Sequence, residues 1–226
     1  MPTSTDVTPR RQADPVRTTQ RAWLAALCLL AFALHAALVE AGGWQWLDLA
    51  LLQGVQQLHG PGADAFFLWI SALGHEWGVI PLDVVLVLGL ALCRCWQASA
   101  FVLLAAAGSG ALNVVFKTLF MRERPQLWPR LAEVHGWSFP SGHAMGSATL
   151  MLLLVIWAWP GRWRYPVLCL AVLFALLVGG SRVYLGVHWP SDVVAGWLLA
   201  VAWVLGVAVW MPRQWQGELC HRTDIS

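Results

Sequence analysis

Apolar residues dominate six stretches of the chain, Ala22–Val39, Trp77–Cys93, Ser99–Phe120, Gly142–Trp159, Tyr165–Val183 and Pro190–Met211. Each approaches the roughly 20 residues that an α-helix needs to cross a bilayer. None alternates apolar with polar residues over strand lengths, which argues against a β-barrel. The pattern predicts an all-α fold, a polytopic membrane bundle of six transmembrane helices forming one domain over residues 21–212. Between the first two runs, Trp44 to His59 sets Leu47, Leu51, Val55 and Leu58 on one helical face and Asp48, Gln53, Gln56 and Gln57 on the other. That segment, in the first outer loop, is predicted to be a helix lying in the membrane interface. The first run exceeds a signal-peptide core and lacks a small-residue cleavage site, so it is expected to be retained. Residues 1–20 are polar and show no helical period, and they are expected to form a disordered cytoplasmic tail, with a second tail at 213–226.

Composition agrees, with 58% of residues hydrophobic and only 12% charged. Charge then orients the bundle. Arg10, Arg11, Arg17 and Arg21 precede the first run, Arg94 follows the second, Arg162 and Arg164 follow the fourth, and Arg213 and Arg222 follow the sixth. By the positive-inside rule all these segments, both termini included, are cytoplasmic. The opposite side receives Lys117, Arg122, Arg124, Arg130 and Arg182, and none of these falls in the Glu40 to Glu76 connection. Trp23, Trp44, Trp46, Trp96, Trp157, Trp159, Trp163 and Trp210 fall near run ends, where an amphipathic indole anchors at the interface. Cys28 and Cys169 lie within runs, whereas Cys93, Cys95 and Cys220 lie at or beyond cytoplasmic ends, where thiols stay reduced, so no disulfide is expected.

The outer-side charges gather in three short segments, each against the end of a run. These are Lys117 with Arg124 and Pro125, then Phe139 to His143 (FPSGH), then Ser181 to Asp192 (SRVYLGVHWPSD). Lys117 is the sole lysine of the chain. Three fixed cations, two imidazoles and a carboxylate at one depth suit a phosphate-like oxyanion, because Arg forks two hydrogen bonds and Lys adds a compact charge. Ser141 is a good N-cap, and a helix opening behind it would aim the amides of Gly142 and His143 outward with its positive dipole end. Pro190 fits a first helical turn, which puts Asp192 in that turn with its carboxylate able to reach a ring nitrogen of His188. An imidazole held in this way offers its other nitrogen as a nucleophile or base, and His143 could protonate a leaving oxygen from another side. Lys117 and Arg124 would share one side of a helix if it continued past Phe120.

These three segments, in this order and spacing, resemble the type 2 phosphatidic acid phosphatase family of membrane lipid phosphatases, which shares its three-part motif with bacterial acid phosphatases and vanadium haloperoxidases. The resemblance implies that His188 is a nucleophile forming a phosphohistidine, that Asp192 orients it, and that His143 is the general acid. It implies a phosphate cradle of Lys117, Arg124, Ser141, Gly142 and Arg182, with no metal and no other cofactor. The implied partners are the bilayer and a membrane lipid phosphate, with no nucleic acid. The implied activity is removal of a terminal phosphate from a membrane lipid, and the positive-inside count puts it at the outer face of a bacterial cytoplasmic membrane. Undecaprenyl pyrophosphate is the expected substrate, with phosphatidylglycerol phosphate, phosphatidic acid and the 1-phosphate of lipid A as alternatives. A lipid phosphotransferase is a second reading. A non-catalytic transporter is a third, against which the chain shows no internal repeat.

The remaining polar residues gain less from their neighbours. His35 is expected to be a hydrogen-bonded packing histidine within the first run. His59, His75 and His135 are assigned to loops or the interface, and His221 to the tail. Asp83 and Asn113, inside runs, are open between a functional role and pairing with a neighbouring helix. Glu76 and His75, at the outer mouth of the second run, are candidates to touch a head group. Arg122 and Arg130 either steer an anionic head group or are solvated loop charges.

Overall fold

The computed structural model describes residues 15–210, and every regular element among them is helical. There are eight: α1 (Pro15–Glu40), α2 (Gln45–Gln56), α3 (Pro61–Leu73), α4 (Val79–Leu92), α5 (Trp96–Phe120), α6 (Gly142–Ala158), α7 (Arg164–Tyr184) and α8 (Pro190–Trp210). Prolines open α1, α3 and α8, where the absent N–H costs nothing and φ is already helical. Met121 ends α5 in the left-handed region (φ 44°), its amide donating to the Lys117 carbonyl at 3.1 Å.

Four of these helices are long and apolar enough to cross a membrane, Thr18–Glu40 within α1, then α5, α7 and α8. α4, with 14 residues, rises about 21 Å, short of a hydrocarbon core of about 30 Å. Leu27, Leu30, Leu34 and Leu38 on α1, Val85, Leu88 and Leu92 on α4, and Leu170, Leu173 and Leu176 on α7 are exposed, forming apolar faces of the kind lipid covers. The protein is thus integral to a membrane.

α8 is the central element, packed by α1, α5 and α6, while α6 also lies along α7 and α5 along α4. One core cluster joins Phe32, Ala36 and Val39 of α1 with Met145 and Ala148 of α6 and Ala195, Leu199 and Ala200 of α8. A second joins Phe101, Val102 and Ala105 of α5 with Leu153 of α6 and Val204, Val207 and Ala208 of α8. Small residues on α8 permit this crowding, because lipid supplies no hydrophobic drive between helices and association depends on close packing. Gly196 is the tightest such point for the site, since a Cβ there would sit 2.7 Å from the Ser141 carbonyl oxygen and 3.1 Å from the Met145 nitrogen.

The first outer connection departs from expectation. α2 forms where its periodicity predicted, and Gln53, Gln56 and Gln57 of the polar face are exposed, but Asp48 of that same face is buried. Leu51 and Leu58 are exposed, while Asp48 and Leu52 are buried. The pattern misled because Asp48 finds charged and hydroxyl partners inside the protein, so the hydrophobic face no longer determines which side turns inward. α3 was not anticipated as a helix, and it docks on α7, where Tyr184 Oη donates to Asp64 Oδ1 at 2.6 Å. His59 Nε2 lies 3.0 Å from the Tyr184 carbonyl, which ties the α2–α3 turn to the same place. Cys28 and Cys169 are free cysteines. The segments read as tails lie outside the described residues, apart from residues 15–20, which open α1.

Gly196→Val should lower the melting temperature of the detergent-purified protein and cut its activity, with a stability loss of about 1–3 kcal/mol from overpacking. Differential scanning fluorimetry checks the first effect and phosphate release the second.

Candidate active site

Asp192 carries no exposed surface and lies in the first turn of α8, which is where Pro190 puts it. Its Oδ2 accepts a hydrogen bond from the Trp189 amide at 2.9 Å and another from the Ser138 hydroxyl, and it faces Nδ1 of His188 at 3.4 Å. Its Oδ1 accepts from Arg122 Nη1 at 2.6 Å. A carboxylate on Nδ1 selects the tautomer with the proton there, leaving the Nε2 lone pair free. Nε2 meets Nη1 of Arg124 at 3.1 Å, a geometry in which the guanidinium donates. Burial pushes the His188 imidazole down to about 3, against the pull of Asp192 and with Arg124 and Arg182 adding to the fall, so the ring is neutral at physiological pH. Neutrality is what a nitrogen nucleophile requires.

A cavity of about 410 Å³ opens in front of this ring, lined by Lys117, Arg124, Gly142, His143, Arg182 and His188, with Ser71, His75, Glu76 and Asn113 among its other walls. Four helices, α5 to α8, and the two loops before α6 and α8 therefore carry the sequence-predicted residues to one end of the bundle. Lys117 comes from the last turn of α5. Arg124 reaches the cavity from an irregular segment beyond α5, which stops at Phe120 as the apolar run does, so the condition that would have set it beside Lys117 on one helix is not met. Its side chain donates to the carbonyls of His135, Gly136, Trp137 and Val187, knitting the loop before α6 to the loop before α8. To hold a phosphate at Nε2, Nη1 would have to exchange its bond to His188 for one to the phosphate.

Arg182 is buried on α7, with Nη1 donating to the Ser71 hydroxyl and Nε buried without a partner among the described residues. Ser141 occupies the N-cap of α6 in an extended conformation, but its side chain makes no capping bond, contrary to expectation. Its buried Oγ is likewise without a partner among the described residues. The reason is that its backbone already does the anchoring, since its amide donates to the Asp192 carbonyl at 3.0 Å and its carbonyl accepts from Met145. An orphaned buried donor costs free energy until something satisfies it, and an oxyanion would do so. The amides at the start of α6 have no intrahelical partner and face a similar need. Gly142 admits close approach there, for a Cβ would lie 3.0 Å from Asn113 Oδ1.

Several participants escaped the sequence reading. Ser138, fully buried, was passed over as a loop serine one residue before the recognised segment. His75 is more than a loop residue, since its ring stacks on His143 at 4.5 Å and 18° and lines the cavity. Asn113 belongs to the site too, its Nδ2 donating to the Pro140 carbonyl at 3.1 Å. Arg122 is no solvated loop charge, for it pairs with both Asp192 and Asp48. His35 is a packing residue as read, with Nε2 2.8 Å from the Ser191 carbonyl. His75, Glu76 and His143 bring three potential ligand atoms within 4.8 Å of one another. The two imidazoles lie in nearly parallel planes, so no point lies in both ring planes at coordination distance, and the nearby Lys117 and Arg182 oppose a divalent cation.

This geometry, a buried Asp–His pair beside a cation-lined cavity, is of a kind suited to a phosphate-like oxyanion. Residues 98–216 match the PAP2 superfamily, and the chain belongs to that superfamily of membrane lipid phosphatases. It is 30% identical to phosphatidylglycerophosphatase B of Bacillus subtilis over 177 residues, covering 76% of this chain and 87% of the relative. It is 28% identical over 201 residues to an undecaprenyl-diphosphatase of Sulfolobus acidocaldarius, covering 83% and 89%. Among solved structures, the chain resembles the transmembrane PAP2-type phosphatidylglycerolphosphate phosphatase of Bacillus subtilis with a TM-score of 0.75 at 28% identity, over 83% of this chain and 96% of that one. Aquifex aeolicus LpxE matches with a TM-score of 0.56 at 25% identity, over 73% and 94%.

His188→Ala should abolish turnover and leave the protein folded. Asp192 would keep Arg122, Ser138 and the Trp189 amide as partners, so no buried charge is stranded. Phosphate release and the elution profile in detergent, measured together, check both halves.

Proposed function

We propose that the protein removes the terminal phosphate of a membrane lipid through a covalent phosphohistidine on His188. The observation that carries this reading is the His188 ring itself, with Nδ1 on Asp192 and Nε2 turned toward Arg124 at a cavity shared with Lys117, His143 and Arg182. In the first step Nε2 attacks phosphorus, the bond to the leaving oxygen breaks, and His143 gives that oxygen a proton. In the second, His143 takes a proton from water, the water oxygen attacks phosphorus, and the N–P bond breaks to release inorganic phosphate. Lys117, Arg124, Arg182, Ser141 and the Gly142 amide hold the transferring oxygens throughout. Fixed donors of this kind are each worth roughly 3 kcal/mol in a site sheltered from water.

Phosphatidylglycerol phosphate and undecaprenyl pyrophosphate are the two substrates that the relatives' names bring forward. Both end in the phosphate that the proposed cradle grips, and discrimination between them would fall to the groove holding the rest of the lipid. We place six crossings in the bilayer, with α4 and α6 as the second and fourth, α2 and α3 on the outer side, and both termini cytoplasmic. The Arg distribution supports that orientation.

Purified protein should release phosphate from one of these two lipids faster than from phosphatidic acid or lipid A 1-phosphate, keep its activity in EDTA, and be inhibited by orthovanadate, which mimics the five-coordinate transition state. Activity lost on chelation and restored by a divalent ion would point to a different mechanism. Label from a radioactive donor lipid should appear as free phosphate, and its arrival in a second lipid would instead mark a phosphotransferase.

Sidedness has its own test. A single cysteine placed in the Pro125 to Glu133 loop should react in intact cells with a thiol reagent that cannot cross the inner membrane, while a reporter fused after Ser226 reads cytoplasmic. A protected loop with a periplasmic reporter would invert the topology.

A further inference from the structure

Behind Asp192, on the side away from His188, lies a second carboxylate that the cavity does not reach. Asp48 of α2 is 1% exposed. Its Oδ1 accepts from the Ser191 amide at 2.9 Å, and its Oδ2 accepts from the Ser191 hydroxyl at 2.5 Å and from Arg122 Nη2 at 2.9 Å. The other arm of the same guanidinium donates to Asp192 Oδ1 at 2.6 Å and to Ser191 Oγ at 2.8 Å, and its carbon lies 5.3 Å from the centroid of the Trp189 ring. One planar fork is thus spread between two buried carboxylates and stacked on an indole, which fixes both its position and its plane.

We propose that Arg122 and Asp48 are positioning residues of this site, a buried clamp that holds Oδ1 of Asp192 from behind so that Oδ2 stays turned to the Nδ1 proton of His188. The proposal rests on the phosphohistidine reading and extends it to α2, a helix from the first outer connection. A carboxylate can rotate about its last bond, and Oδ2 alone cannot prevent that. Gripping Oδ1 does. A lysine at Arg122 could not serve both carboxylates, because a point charge lacks the two parallel arms. Asp48 in turn keeps the arginine from swinging into the cavity, where three other cations would repel it and where it would compete for the phosphate.

Arg122 also sets a charge. The groups facing His188 are Asp192 from α8, Arg124 from the loop after α5, Arg182 from α7 and His143 from α6. Arg122 offsets the negative charge of Asp192, so removing it leaves the Asp–His pair more basic. His188 would then take up a proton at a higher pH, and the acid limb of kcat/KM would move upward. Loss of a purely structural arginine has no reason to move that limb.

The experiment compares the full-length wild type with Arg122→Gln, Arg122→Lys and Asp48→Asn, using His188→Ala as the inactive reference. Expected for Arg122→Gln is a kcat about 10- to 100-fold lower, KM and vanadate inhibition within about threefold of wild type, and an acid limb displaced to higher pH. Arg122→Lys, which keeps the charge and loses the fork, should leave the limb near its wild-type position while kcat stays depressed. Asp48→Asn should lower kcat in the same direction with less effect on the limb. Wild-type kcat in all three variants would overturn the clamp. So would a kcat loss in Arg122→Gln that tracks the folded fraction, measured by size-exclusion and thermal melting, with the limb unmoved. A wild type that releases no phosphate from any lipid would sink the functional reading instead, and the two failures are therefore distinguishable.

Discussion

A fully buried carboxylate organises the half of this protein that holds the cavity. Asp192 cannot carry its charge out of water without partners, since an unpaired buried charge costs several kcal/mol. It draws those partners from different parts of the chain: Ser138 from the loop before α6, Trp189 and His188 from the loop before α8, and Arg122 from the segment after α5. Even its carbonyl is used, accepting the Ser141 amide at the start of α6. The loops that bear the candidate nucleophile, the anion-binding helix start and the cations are thereby fixed to one another through a single side chain.

A second constraint is the density of positive charge. Lys117, Arg124 and Arg182 line one cavity whose walls also carry the carboxylates Glu76 and Glu133, while Asp192 faces the opposite side of His188. Such a cavity is tolerable because each guanidinium is tethered elsewhere, Arg124 to a ring of carbonyls and Arg182 to Ser71. The same charge would suit a multiply charged anion, whose arrival would relieve the repulsion. Preorganised donors in low dielectric need no reorganisation when the transition state forms. The outer connection, α2 and α3, supplies part of that preorganisation through Asp48, Asp64 and Ser71.

Much of the site was legible in the sequence because its chemistry is carried by short segments whose residue types have few other uses inside a membrane protein. A lysine, two arginines, two histidines and an aspartate at the ends of apolar runs are costly there and so demand a reason. The His188 to Asp192 spacing read correctly because four residues across a helix start put a carboxylate under a ring. Arg124 lines the cavity from beyond the helix, which ends at Phe120 where the apolar run ended. Arg122, Asp48 and Ser138 were missed or undervalued because each looks like an ordinary loop or surface residue until its partner is known.

The sequence by itself determined that the chain is helical, that it lives in lipid, and that residues suited to a phosphate-like anion gather at the ends of its apolar runs, because hydrophobic run length, helix-start chemistry and the cost of charge in a bilayer are all local properties. Tertiary structure decided which face of α2 turns inward, how the 61–73 stretch docks on α7, and which donors around the cavity are spent and which are free. Those outcomes depend on partners far away along the chain. Asp48 and Asp192 are 144 residues apart and share one guanidinium, and no periodicity in either segment encodes the other.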